Sequence, residues 1–242
     1  MRILVVNVNT TEAMTDEIAR SARNAARTGT EIVPLTPTFG AESVEGNFES
    51  HLAAIAVMDR VAAYTEPYDA IIQAGFGEHG REGLQELFEV PVVDITDAAA
   101  HVAALIGRTF SVITTLDRTV PLIEDRLILS GLYGRCASVR ASGLGVLELN
   151  DPEPVIRALT QEAHKAVEED KAEVIILGCG GMAGLEAAIH KATNTPVVDG
   201  VAAAVALAES LVGLGLSTSK VRTYAQPLPK RVRSWPLHEH LA

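Results

Sequence analysis

Apolar residues fall along the chain in two alternating patterns. Short, almost unbroken runs rich in Val, Ile and Leu predict strands at Ile3–Val8, Glu31–Leu35, Ala70–Ala74, Val90–Ile95, Phe110–Thr114, Arg135–Ala141, Glu173–Gly178 and Pro196–Asp199. Their near-continuous apolar character is the mark of strands covered on both faces. Between them, apolar positions recur every three or four residues and predict helices at Thr11–Arg27, Phe48–Tyr64, Thr96–Ile106, Val120–Ser130, Pro154–Glu168, Leu185–Lys191 and Val201–Leu214. A shorter helix fits "REGLQELFE" after Gly80. Most helices open near a Thr, Asp, Asn or Gly able to satisfy the first free amides. Regular alternation of the two kinds of element predicts parallel βαβ units.

The pattern also repeats. "PVVDITDAAAHVAALIG" at Pro91 and "PVVDGVAAAVALAESLVG" at Pro196 share their opening and an Ala-rich helix, 105 positions apart. The same shift lays Asn9 and Thr10 on Thr114 and Thr115, and a shift of 104 lays Gly75 on Cys179. The expected fold is therefore α/β, with two pseudo-symmetric lobes, each a four-stranded parallel sheet flanked by helices. Residues 1–106 would form the first lobe and 107–218 the second, joined tightly near Leu105–Thr109, with 219–242 a tail packed on the lobes or on a neighbouring subunit through Trp235. Open α/β sheets bind ligands beyond the carboxyl ends of their strands, so the active site is expected in the cleft between the lobes. Asn9, Thr10, Gly75, Thr114, Thr115 and Cys179 all fall at such ends.

Composition narrows the partners. The 242 residues are 48% hydrophobic and only 4% aromatic, enough for one large core or two half-sized ones. A net charge of −11 and a pI near 5.1 would repel a phosphate backbone, so nucleic acid is not an expected partner. "MRILVVNVNT" turns polar too early for a secretory leader, and no run reaches the ~18 apolar residues of a membrane span, so no membrane partner is expected either. Cys136 and Cys179 are the two cysteines, which suits a reduced, cytoplasmic setting. No group of His, Cys, Asp or Glu has metal-ligand spacing; the "HEH" of His238–His240 has no partner cluster, and no metal is expected.

Chemistry concentrates at "GCGGMAGL", Gly178–Leu185. Amides of Cys179, Gly180 and Gly181 at a strand-to-helix turn would converge on one spot, and the dipole of the following helix would add positive potential. A thiol there is expected to fall below its ordinary pKa of about 8.5 and to exchange protons with carbon, while the same amides hold an enolate oxygen. Cys136, inside "GRCASVRAS", has no glycine cradle and reads as a buried structural residue. The first-half counterpart, "AIIQAGFGEHG", matches the GxGxxG spacing of a dinucleotide site. Its next helix is short, Asp94 follows Gly80 by 14 residues instead of about 20, and the motif does not open the first βαβ unit. No nucleotide cofactor is expected, and the glycines are read as allowing a small ligand to approach the backbone.

The motifs "NVNTTEAMT", "ESVEG" at Glu42–Gly46, "VITTLDR" at Val112–Arg118, "GCGGMAGL" and "PVVDGVAAAV" at Pro196–Val205, in this order, resemble the aspartate/glutamate/hydantoin racemase superfamily over essentially the whole chain, and most of all its hydantoin and allantoin racemases. The resemblance implies a cofactor-independent homo-oligomer acting on a small-molecule substrate, with two cysteines on opposite faces of the reacting carbon. Cys179 matches the second cysteine, whereas the first would fall at Gly75. Inverting a planar carbanion needs a proton donor on each face. Three readings stand. In one, Glu78 or His79 replaces the missing group and the enzyme racemises 5-substituted hydantoins. In another, which resembles arylmalonate decarboxylases, the space left by Gly75 admits a carboxylate and Cys179 alone protonates one face. In the third, the cleft binds a small acid without catalysis. Asn9, Thr10, Thr114 and Thr115 would hold the ring's polar atoms, Phe76 and Gly77 would wall the pocket, and Gly180 and Gly181 would support the thiol. The loop carrying Ser43 and Glu45 is placed to cover the cleft.

Overall fold

The computed structural model describes residues 1–231; Trp235 and His238–His240 lie outside them. Strands β1 (Arg2–Val6), β2 (Glu31–Leu35), β3 (Ala70–Gln73) and β4 (Val92–Asp94) form one parallel sheet in the order β2-β1-β3-β4. A second parallel sheet repeats that order, β6-β5-β7-β8, from β5 (Phe110–Thr114), β6 (Cys136–Ala141), β7 (Val174–Leu177) and β8 (Val197–Asp199). The helices are α1 (Glu12–Ala25), α2 (Asn47–Ala62), α3 (Arg81–Leu87), α4 (Ile95–Ile106), α5 (Val120–Leu129), α6 (Pro152–Glu168), α7 (Glu186–Thr193) and α8 (Gly200–Gly213).

Successive strand residues point to opposite faces, and both faces are buried. In β1, Ile3 and Val5 enter a core that also holds Phe110, Val112, Val174 and Ile176 of the second sheet, while Leu4 and Val6 enter a separate outer core with α2. Ile113, Ile175 and Leu177 face the second sheet's outer core, with Leu159 and Ala163 of α6. The shared central core is closed by α4 and α8, which pack on each other and reach the opposite sheets, α4 lying on β7 and α8 on β3. Ala98, Ala99, Ala100 and Ala103 of α4 and Ala203, Ala204 and Ala208 of α8 are buried there. Small side chains let the two helices approach, and Gly200 is one point of close contact, because a Cβ on it would lie 2.8 Å from the Ile95 carbonyl oxygen. The repeated "PVVD" has a physical reason: Asp94 and Asp199 are the N-caps of α4 and α8, each accepting two backbone N–H bonds.

The first strand stops at Val6, short of the expected Val8. Asn7 Oδ1 accepts from the N–H of Val8 and Asn9 and turns the chain out of the sheet. This moves the internal equivalence. The Val6 carbonyl accepts from Ala74 N–H and the Ile113 carbonyl from Gly178 N–H, both at 2.8 Å, so the ladders equate Asn7, not Asn9, with Thr114, and Gly75 with Cys179. The expected match of Asn9 and Thr10 to Thr114 and Thr115 is thus displaced by two residues. The end of the second lobe and the beginning of the tail pack on the first sheet's lobe: Thr218 N–H reaches the Glu89 carbonyl, and Lys220 Nζ reaches the carbonyls of Gln85, Glu86 and Phe88 at the end of α3. No helix among the described residues is long and apolar enough to cross a membrane.

Candidate active site

The carboxyl ends of β1, β3, β5 and β7 converge on a cleft whose free space, counting its open mouth, is about 450 Å³. Asn9, Gly75, Phe76, His79, Thr114, Thr115, Cys179 and Gly180 line it, as the sequence led one to expect for strand ends. Asn7, Val8, Met14, Val44, Thr119 and Val146 line it too, none of them singled out as a site residue from the sequence. Thr10, Gly77, Glu78 and Gly181 are not among the lining groups; Gly181 faces a neighbouring depression instead.

Glycines on both sides of Cys179 allow close approaches, Gly178 within its own sheet and Gly180 across the lobes. A Cβ on Gly178 would lie 2.6 Å from Val112 Cγ1, and one on Gly180 would lie 2.8 Å from the Ala74 carbonyl oxygen of the other lobe. The residues beyond differ from expectation. A single 3₁₀ turn, Gly180–Met182, follows Cys179, and α7 begins only at Glu186. One turn carries little aligned dipole. The thiol is accordingly not acidified. Burial pushes it up to about 11, against the pull of the Gly181 N–H, and the Glu45 carboxylate adds to the rise. The expected low pKa is thus reversed: at neutral pH Cys179 is a protonated acid, and its thiolate, once formed, is a strong base. Cys136 lies in β6 and is pushed up to about 12, mainly by burial.

The other face is built differently. The space beside Gly75 is occupied, since a Cβ there would overlap Val8 Cγ1 and lie 2.5 Å from His79 Cδ2. The room for a carboxylate expected at Gly75 is therefore filled by His79 and Val8. His79 is buried, and burial pushes it down to about 4, so the ring is neutral at pH 7. Its Nδ1 lies 3.0 Å from Ser50 Oγ and its Nε2 3.2 Å from the Phe76 carbonyl, so both ring nitrogens are committed to the protein. Gly77 and Gly80 have φ values of +122° and +91°, and the Gly77 N–H is given to Thr96 Oγ1 at 2.8 Å. The "GFGEHG" glycines serve a tight turn into a seven-residue helix.

Glu78 turns away from the cleft. Its carboxylate is 2.9 Å from Arg126 Nη1, and burial and the neighbouring Glu82 raise its pKa while Arg126 opposes them. Arg126, on α5 of the second lobe, is 1% exposed and also pairs with Glu82, Asp94 and Asp97. The cluster thus pins the turn that carries Phe76 and His79 from across the lobes. The loop expected to cover the cleft does so: Val44 lines it, and the Glu45 carboxylate accepts the Val146 N–H at 2.8 Å from the facing lobe. Thr11 does not cap α1 with its side chain; its hydroxyl donates to the Glu42 carbonyl of that loop.

The Asp/Glu/Hydantoin racemase family model matches residues 3–208. A hydantoin racemase from Pseudomonas sp. (strain NS671) is 39% identical over 95% of this chain and 93% of its own, and one from Rhizobium meliloti is 41% identical over 94% and 95%. The crystal structure of an allantoin racemase from Pseudomonas fluorescens superimposes with a TM-score of 0.95 at 70% identity, covering 96% of this chain and 99% of that one. An arylmalonate decarboxylase structure, at 16% identity and a TM-score of 0.57 over 93% and 97% of the two chains, shares the fold. With its duplicated sheets, its cleft and these likenesses, the chain is an isomerase belonging to the Asp/Glu/Hydantoin racemase family.

Proposed function

We propose that the protein racemises 5-substituted hydantoins, allantoin among them, by removing and returning the proton at C5. Similarity to the allantoin and hydantoin racemases supports the substrate class. The observation that carries the mechanism is a thiol, Cys179 Sγ, facing the cleft between duplicated strand ends with the Gly181 N–H on it. C5 of a hydantoin is flanked by a carbonyl, so the carbanion is delocalised and planar. Asn9 Nδ2, whose partner in the site is the weak acceptor Met14 Sδ at 3.1 Å, is free to exchange that contact for the developing enolate oxygen.

Cys179 serves one face. Its protonated resting state makes it the donor, and the thiolate left behind is basic enough to take a proton in the reverse direction. On the other face Glu78 fits better than His79. A partly exposed carboxyl pushed above its ordinary value sits closer to the range of a proton carrier than an imidazole pushed down to about 4 and held at both nitrogens. To act, Glu78 must leave Arg126, which keeps Glu82, Asp94 and Asp97 as partners.

Proton NMR in deuterated buffer tests the reading. The wild type should wash out the C5–H of both allantoin enantiomers, and Cys179→Ser should lower that rate by roughly 10³-fold or more with an unchanged melting temperature. Undiminished exchange in the variant would remove Cys179 from the chemistry. Tight hydantoin binding without exchange in the wild type would make this a binding protein.

A further inference from the structure

The reaction cleft shares one wall with a second depression. Met14 lines both: on one side it meets the cleft with Asn9 and Cys179, and on the other a solvent-open hollow of about 790 Å³, walled by Glu17, Arg20, Leu149, Pro152 and Leu185. The partition is thin. The point where Gly181 would carry a Cβ lies 2.9 Å from Leu149 Cδ1, 3.5 Å from Met14 Cε and 3.8 Å from Cys179 Sγ, so the end of Met14 stands close to the reacting sulfur, in a wall it shares with Gly181 and Leu149. Met14 is 8% exposed, and its position is set by the Asn9 amide. Asn9 Oδ1 accepts from Asn7 Nδ2 and Thr11 N–H, which turns Nδ2 onto the Met14 sulfur.

We propose that Met14 is a specificity-determining residue: it ends the space available to the substituent on the reacting carbon, and shortening it joins the hollow to the cleft. The inference rests on the racemase reading above and names the substrates it would admit. Next to Met14 the hollow is walled by Leu149, Pro152 and Leu185, while Glu17 and Arg20 pair with each other at its rim. Such walls suit long alkyl and aralkyl substituents, whereas the short, polar ureido group of allantoin stays on the near side of the methionine.

The test measures C5 deuterium exchange of allantoin and of 5-benzylhydantoin by the wild type, Met14→Ala and Met14→Phe, with melting temperatures alongside. Removing three heavy atoms from the partition should raise the ratio of kcat/KM for the benzyl substrate over allantoin by roughly tenfold or more, and Met14→Phe should lower it. Filling the hollow with Leu185→Trp in the Met14→Ala background should return the ratio towards the wild type. Met14→Val serves if the alanine variant fails to fold. An unchanged ratio in a folded, allantoin-active variant overturns the inference alone. No exchange with either substrate in the wild type overturns the racemase reading and takes the inference with it.

Discussion

Gly75 and Cys179 occupy the same ladder position in two copies of one sheet, yet their surroundings have diverged completely. At Cys179 glycines pack the turn tightly, Gly180 against the Ala74 carbonyl of the other lobe, and leave a sulfur facing the cleft. At Gly75 the backbone has the same freedom, but Val8 and His79 have moved into the space, and the nearest adaptable acid, Glu78, is held by an arginine from the opposite lobe. A duplicated fold thus keeps the placement of a functional position more faithfully than the chemical group at it. In the proposed mechanism one face carries its proton on the scaffold, and the other borrows it from a turn that an ion-pair cluster holds ready.

The sharpest way to break this comparison is to remove the cluster. Arg126→Met leaves the buried Asp94 and its neighbours with only Arg81, and breaking such a buried network costs about 3–5 kcal/mol. Urea denaturation should show a loss of that size; a change below ~1 kcal/mol would mean that solvent already screens the cluster. Restoring the second cysteine is the next test. Gly75→Cys must displace Val8 or His79, so it should lower stability by about 1–3 kcal/mol and bring no gain in exchange rate. A faster, undiminished enzyme would show that the space is free. The gentlest test concerns the thiol. A thiol at about 11 holds little thiolate at pH 7, and the fraction grows about tenfold per pH unit until its pKa. Iodoacetamide labelling of Cys179, followed by peptide mass spectrometry to separate it from Cys136, should therefore keep rising from pH 7 to pH 10. Levelling off below pH 9 would restore the acidified thiolate.

Much of the scaffold was legible because burial writes itself into composition. Doubly covered strands are Val/Ile runs, and the repeated "PVVD" exposed both the duplication and the caps of α4 and α8. The misreadings arose where distant segments meet. Asn7 and Asn9 are both polar residues beside a strand end, and only the hydrogen bonds of Asn7 with Val8 and Asn9 show where the strand stops. The glycines around Cys179 announce an amide-rich turn, but Met14, Val44 and Val146, which line the cleft with it, come from three remote places in the chain. Arg126 reads as an ordinary charge on the helix "VPLIEDRLIL"; packing of α5 against α4 is what buries it. His79 in the space beside Gly75 depends on the turn made by Gly77 and Gly80, which periodicity does not describe.

The claim that the two faces use different groups is tested most directly by following solvent deuterium into each allantoin enantiomer with Glu78→Gln. The amide cannot shuttle a proton but keeps the shape of the carboxyl, so racemisation should fall by roughly 10²-fold or more. The enantiomer whose C5–H faces Cys179 should still exchange with retention, and its mirror image should not. Equal residual exchange in both enantiomers at the wild-type rate would contradict the account.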